Sequence, residues 1–215
     1  MKFYLDTANV NDIREAASMG IISGVTTNPS ILSKEGKNYK DAIMEVAAIM
    51  DGEVFAEVLS MNADDMVKEA LEMTGWCSNM IIKIPMVWEG LKAVNTLSKL
   101  GVKTAITLIY SQAQALLASQ VGATYVAPFV ARSFEAGQDG INLVSNIAEV
   151  FNKQGITTRI IAASLRTPID VFNSAKAGAH ILTAPYGVLK QMAFHPLTDT
   201  TLQMFLKDFQ KVANL

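Results

Sequence analysis

The sequence predicts an α/β protein in which eight βα units close into one (β/α)8 barrel, followed by an extra C-terminal helix. Three observations carry this expectation. Short, near-continuously apolar runs alternate with amphipathic stretches along the whole chain. The runs begin roughly 20 to 30 residues apart, the size of a βα repeat. No linker or low-complexity segment interrupts them, so the 215 residues are expected to form a single domain, 1–215.

The candidate strands, in order, are Phe3–Thr7, Gly24–Asn28, Val54–Leu59, Met80–Pro85, Lys103–Ile109, Tyr125–Val130, Thr158–Ser164 and His180–Pro185. Each is short and mostly apolar, as strands covered by helices on a parallel sheet must be. Between them the period changes to that of a helix. Tyr39–Met50 gathers Ile43, Val46, Ala47 and Met50 on one face, and Asp139–Lys153 gathers Leu143, Ile147, Val150 and Phe151. Thr167-Pro168 opens another helix with a capping residue and a proline in the first turn. Tyr186–Met192 covers the eighth strand. The segment 198–212 is then surplus, with Leu202, Phe205, Leu206, Phe209 and Val212 on one stripe. It either packs on its own barrel or docks on a neighbouring subunit.

Half the residues are hydrophobic, enough for a large core, and the net charge is −2 with mixed signs throughout. That leaves no basic footprint for nucleic acid and no polybasic contact for a membrane. No apolar run approaches the ~20 residues that span a bilayer, and Met-Lys-Phe-Tyr-Leu-Asp-Thr does not read as a signal peptide. The expected location is the cytoplasm. A single cysteine, Cys77, excludes an internal disulfide. The two histidines, His180 and His195, have no metal-ligand spacing with each other or with Cys77. With no Walker loop and no G-x-G-x-x-G after a strand, nucleotide chemistry is poorly supported. Neither a metal nor a cofactor is expected.

The strands are not uniformly dry. Asp6, Glu57, Lys83 and Thr107 interrupt apolar runs, while Asn28 and Ser164 close them. A strand buried on both faces tolerates few polar groups, since each must be satisfied or expelled. All six lie toward the C-terminal ends of different strands, the face on which barrel enzymes assemble their sites. Each alone has an ordinary explanation: a strand-end Asp or Asn caps the next helix, and a lone Glu or Thr is satisfied in place. Lys83, between Ile82 and Ile84, is harder to dismiss, because an ammonium in a central strand is costly to bury and snorkels poorly from a barrel interior.

A desolvated lysine is an amine nucleophile that forms an imine with a carbonyl. Imine formation needs a proton shuttle, which Glu57 can supply directly or through a water shared with Thr107. Cleaving the neighbouring carbon–carbon bond needs a base for the hydroxyl proton, and Asp6 is the candidate. This is an aldolase-type set of groups. Arg132, after the sixth strand, and Ser164 with Arg166, after the seventh, suit a phosphate held by a guanidinium and loop backbone at a helix N-terminus.

These motifs together resemble the transaldolase family, especially its short microbial subfamily that also contains fructose-6-phosphate aldolase. The resemblance spans essentially the whole chain. It rests on Phe-Tyr-Leu-Asp6-Thr-Ala, Gly-Val-Thr26-Thr-Asn28-Pro-Ser, Phe-Ala-Glu57-Val, Ile-Ile-Lys83-Ile-Pro, Thr107-Leu-Ile-Tyr-Ser-Gln-Ala-Gln, Tyr-Val-Ala-Pro-Phe129-Val-Ala-Arg132 and Ala-Ala-Ser164-Leu-Arg166. It implies a Schiff-base mechanism with Lys83 as the imine lysine and Asp6 as the acid/base at the cleaved bond. Glu57 and Thr107 would hold the catalytic water. Asn28, with Thr26 and Phe129 among the substrate-binding residues, would contact the dihydroxyacetone unit, and Arg132, Ser164 and Arg166 would bind the phosphate. Short members form ring-shaped homo-oligomers, commonly decamers, whose C-terminal helix reaches a neighbour.

Glu57, Phe129 and Arg166 are transaldolase-like, where the aldolases of the subfamily carry Gln, Tyr and Lys. A tyrosine near the imine would help protonate the three-carbon enamine, and Phe129 cannot. Ala105 and Tyr110 depart in the other direction, standing where transaldolases carry Asn and Phe. The reading is a transaldolase using fructose 6-phosphate and erythrose 4-phosphate, with a fructose-6-phosphate aldolase as the alternative. A non-catalytic sugar-phosphate sensor would keep Arg132, Ser164 and Arg166 without needing Lys83 between two carboxylates. Trp88, after the lysine strand, either walls the site or covers the rim.

Overall fold

The computed structural model describes residues 1–212. Eight parallel strands run in chain order around a closed barrel: β1 (Lys2–Asp6), β2 (Ile22–Thr26), β3 (Glu53–Glu57), β4 (Met80–Pro85), β5 (Thr104–Ile109), β6 (Tyr125–Pro128), β7 (Arg159–Ala162) and β8 (Ile181–Ala184). The barrel closes where β1 pairs with β8, Lys2 opposite Ile181 through Leu5 opposite Ala184. The sequence-based strands are all present. Several stop one or two residues sooner at the C-terminal end, because the chain leaves the ladder there to present side chains to the mouth.

Helices α1 (Val10–Ser18), α3 (Tyr39–Ile49), α4 (Ala63–Thr74), α5 (Trp88–Lys99), α6 (Gln112–Gln120), α8 (Gly140–Gln154), α9 (Pro168–Lys176) and α10 (Tyr186–Ala193) follow the strands, with short helices α2 (Pro29–Leu32) and α7 (Val130–Glu135) in the loops after β2 and β6. Their starts are written in the sequence. Asn9, Asn62 and Asp139 accept from the first free amides of α1, α4 and α8, and Ser111/Gln114 and Thr167/Asp170 form reciprocal capping boxes on α6 and α9.

Strand alternation makes two cores. On β4, Met80, Ile82 and Ile84 face outward into the aliphatic layer beneath the helices. Ile81 faces inward, where it meets Tyr4, Phe55, Ala105, Tyr125, Ile161 and Ile181 in the barrel's own core. Lys83 follows Ile81 on that inward face, one layer higher. Gly24 on β2 lets the inner core close: a Cβ there would stand 2.6 Å from the Glu53 carbonyl oxygen and 3.1 Å from the Tyr4 ring. No helix among the described residues is long and apolar enough to cross a membrane.

The surplus helix is α11 (Pro196–Val212), two residues longer at its start than the apolar stripe suggested. It buries none of its residues against its own barrel. Leu202, Phe205, Leu206, Phe209 and Val212 are all exposed.

Candidate active site

The C-terminal mouth of the barrel opens into a cavity of about 510 Å³. Every candidate named from the sequence lies on its wall: Asp6, Thr26, Asn28, Glu57, Lys83, Thr107, Phe129, Arg132, Ser164 and Arg166. They come from strands β1 to β5 and from the loops after β2, β6 and β7, so the barrel's closure, rather than any one motif, assembles the site.

Lys83 is 7 % exposed. Its Nζ donates to the Thr27 carbonyl at 2.8 Å and to Glu57 Oε2 at 3.0 Å. The glutamate is therefore in direct contact with the amine, as the β3–β4 register, with Glu57 opposite Lys83, requires. Thr107, on β5, is fully buried, and its Oγ1 has no hydrogen-bond partner among the described residues. A buried hydroxyl without a partner costs free energy, and here it faces the cavity.

Asp6 Oδ1 accepts from Thr26 Oγ1 at 2.7 Å, and Thr26 Oγ1 lies 2.6 Å from Thr183 Oγ1. Loss of hydration pushes the Asp6 carboxyl above the ordinary carboxylate range, while the Thr26 hydroxyl and the Lys83 charge pull it back. Asp6 does not cap the following helix; Asn9 does. Asn28 has both lives. Its Oδ1 caps α2 by accepting from Ile31 N at 2.9 Å, and its side chain also lines the cavity.

Two backbone strains flank the far wall. Leu108 and Ser164 have φ of 61° and 57°, the left-handed region that costs a side-chain-bearing residue about 1–3 kcal/mol. At Leu108 the β5–β6 register shifts, and the residue lines the cavity next to Thr107. At Ser164 the loop turns so that its carbonyl accepts from Ala131 N at 3.1 Å, and the Ala163 carbonyl accepts from Val130 N at 2.9 Å. These bonds tie the β6 and β7 loops together and set Arg132 beside Ser164.

Arg132 and Arg166 both line the cavity and are exposed. Arg166 is ion-paired with Glu135 of α7, an exposed contact that a phosphate can displace at a cost of about 1 kcal/mol or less. The anion site differs from expectation in one respect. The main-chain N–H groups of Arg166 and Thr167, just before α9, both donate to Asp170 Oδ2, each at 3.0 Å, so these two loop amides are already taken by the capping box of the helix.

Phe129 lies between β6 and α7, with its ring edge-on to Tyr110 at 5.8 Å. Tyr110 lines a separate hollow with Ser111, Gln138 and Asn142 rather than the main cavity. Ala105 contributes only a methyl group to the cavity floor. Trp88 is 71 % exposed at the start of α5 and lies on the rim. His180 and His195 accept main-chain bonds from Ile160 and Leu197, away from the cavity.

Two residues escaped the sequence reading. Thr183 carried the same signal as Thr107, a hydroxyl inside an apolar strand. Tyr39 carried none: it is a helical aromatic, and only the fold reveals that its hydroxyl donates to the Glu57 carbonyl at 2.7 Å and accepts from the Glu57 N–H at 2.9 Å.

Comparison with known proteins identifies the family. Residues 3–215 match the family model described as transaldolase/fructose-6-phosphate aldolase. A protein of Caldicellulosiruptor saccharolyticus named a probable transaldolase is 54 % identical over 99 % of this chain and 98 % of its own length. Another so named, from Methanococcus maripaludis, is 51 % identical over 100 % of both chains. Among solved structures, thiamine phosphate pyrophosphorylase from Pyrococcus furiosus shares the fold at a TM-score of 0.56 and 15 % identity, covering 86 % of this chain and 85 % of that one. A flavocytochrome b2 variant with sulfite bound does so at 0.60 and 11 %, covering 86 % and 56 %. The chain belongs to the transaldolase/fructose-6-phosphate aldolase family.

Proposed function

We propose that this enzyme is a transaldolase that moves a dihydroxyacetone unit from fructose 6-phosphate to erythrose 4-phosphate through an imine on Lys83. The observation that carries the proposal is the position of Lys83 Nζ, buried at the mouth and held at 3.0 Å by Glu57. To attack, the amine must give up a proton, and Glu57 is placed to take it. The amine adds to the ketose C2 carbonyl, and water leaves from the carbinolamine with a proton returned from Glu57. The unpartnered Thr107 hydroxyl suits that water.

Asp6 then removes the proton of the C4 hydroxyl. The C3–C4 bond breaks, its electrons flow into the iminium, and glyceraldehyde 3-phosphate departs. A carboxyl whose affinity for protons is raised by burial fits this task, since it must hold the proton and later return it to the new hydroxyl. The enamine left on Lys83 faces Phe129, which has no proton to give, and Tyr110 belongs to the adjacent hollow. It therefore waits for the aldehyde of the acceptor, and the steps run in reverse. Arg132, Ser164 and Arg166 bind the phosphate end of donor and acceptor, and Thr26 and Asn28 stand on the side of the dihydroxyacetone unit.

The alternative is a fructose-6-phosphate aldolase, favoured by Ala105, which offers the dihydroxyacetone hydroxyls no hydrogen bond. Product analysis separates the two. Sedoheptulose 7-phosphate formed with erythrose 4-phosphate, and little free dihydroxyacetone without it, is the expected result. Dihydroxyacetone and glyceraldehyde 3-phosphate accumulating without acceptor would make it an aldolase. We also take the enzyme to be a cytoplasmic ring-shaped homo-oligomer, a decamer, in which α11 lies on a neighbour. The apolar stripe of α11, bare on its own barrel, supports this.

A further inference from the structure

Strands β2 and β3 pair with Thr26 opposite Phe55. The ladder runs one rung further, where Thr27 N–H donates to the Phe55 carbonyl at 3.2 Å. In an evenly spaced parallel ladder the next rung joins the Glu57 N–H to the Thr27 carbonyl. That rung is replaced. The Glu57 N–H donates to the Tyr39 hydroxyl at 2.9 Å, and the same hydroxyl donates to the Glu57 carbonyl at 2.7 Å. The Thr27 carbonyl, released from the sheet, accepts from Lys83 Nζ at 2.8 Å.

We propose that Tyr39 is a positioning residue for the Lys83 amine, acting by occupying the Glu57 rung and so freeing the Thr27 carbonyl to hold Nζ. This rests on the reading of Lys83 as the imine lysine. A carbonyl oxygen accepts from the amine before and after it loses its proton. Thr27 therefore keeps one N–H fixed throughout and limits where the lone pair can point. The same phenol fixes the main chain of Glu57, the other partner of Nζ. A single hydroxyl on α3 sets both contacts without touching substrate. Burial, with the Glu57 and Glu69 carboxylates adding to it, holds the phenol well above its ordinary range and keeps it a donor.

Tyr39→Phe keeps the ring edge against Trp76, centroids 5.9 Å apart, and removes only the hydroxyl. The expected result is a fall of about tenfold to a hundredfold both in kcat and in the rate of borohydride trapping at Lys83 with saturating fructose 6-phosphate. Donor KM should move by less than about threefold, and a crystal structure of the variant should show Glu57 N–H back on the Thr27 carbonyl. Trp76→Phe, which disturbs the packing of Tyr39 but keeps its hydroxyl, should lower Tm and leave the trapping rate unchanged. A Tyr39→Phe enzyme trapped at the wild-type rate overturns the proposal. One that fails to fold also overturns it, because the hydroxyl is then a requirement of the fold. If the wild-type enzyme takes no label at Lys83, the assignment of Lys83 itself falls, and this proposal with it.

Discussion

Strand β3 carries a glutamate at each end, and the two face opposite ends of the same barrel. Glu53, at the floor, accepts from the hydroxyls of Tyr4 and Tyr125, the latter at 2.7 and 2.9 Å to its two oxygens. Glu57, at the mouth, holds the Lys83 ammonium and lines an open cavity. The floor is a plug. Its hydrogen-bond donors are neutral phenols whose ionisation is pushed far up, by burial first and by the Glu53 carboxylate second. The one cation paired with Glu53 among the described residues, Lys103 at 4.0 Å, is solvent-exposed. Neither phenol exchanges a proton near neutral pH. At the mouth the carboxylate's partner is a buried lysine nitrogen, one neighbouring hydroxyl has no partner, and two residues of the wall have strained backbones. One residue type on one strand thus serves stability at one end and chemistry at the other, and the partners make the difference.

The largest contrast should come from Asp6→Asn. Turnover should fall by about 10²–10⁴-fold, the usual contribution of a general acid/base, while the melting temperature rises. The folded carboxyl has a raised pKa. Its favourable contribution is therefore complete below the unfolded value of about 3.9 and is lost as pH rises through the folded value. The advantage of Asp6→Asn in Tm should be small in acid and grow toward neutrality; thermal melts across that range check the sign. A gain that shrinks with rising pH would contradict the cause assigned here.

Exchanging the two glutamates for glutamine sharpens the comparison further. Glu57→Gln should slow turnover by about 10²-fold with little change in Tm. Glu53→Gln should cost about 1–3 kcal/mol of stability, because two buried phenols lose a charged acceptor, and leave kcat of the folded enzyme within about twofold. Chemical denaturation and steady-state kinetics on both proteins read this out. Matching stability losses would erase the distinction between the ends.

The smallest effect is optical. Tyr4 and Tyr125 should not contribute phenolate absorbance near pH 10, where an ordinary tyrosine ionises. Their stabilisation is intact below that pH and is lost as pH rises through their folded values, so their ionisation should accompany alkaline unfolding. In Glu53→Gln both events should move to lower pH.

Much of this architecture was legible in the residues because burial makes strand composition strict. Asp6, Glu57, Lys83 and Thr107 stood out as polar groups in dry strands, and the closed barrel brings them to one cavity. Thr183 obeyed the same rule and was passed over. Contacts made by backbone were less visible. The Thr27 carbonyl on Lys83, the left-handed turn at Leu108 and the Tyr39 rung all depend on where a ladder stops, which periodicity places only within a residue or two. The capping of α9 by Asp170 was half seen, in Thr167-Pro168. Its consequence, that the loop amides of Arg166 and Thr167 are occupied, appears only in the folded turn.

The imine on Lys83 is covalent, so borohydride reduction with fructose 6-phosphate followed by peptide mass mapping detects it. The expected product is a reduced dihydroxyacetone adduct on the peptide containing Lys83. Lys83→Ala should be folded, unlabelled and inactive. An active enzyme with an unmodified Lys83 peptide, or turnover by Lys83→Ala, would contradict the imine on Lys83.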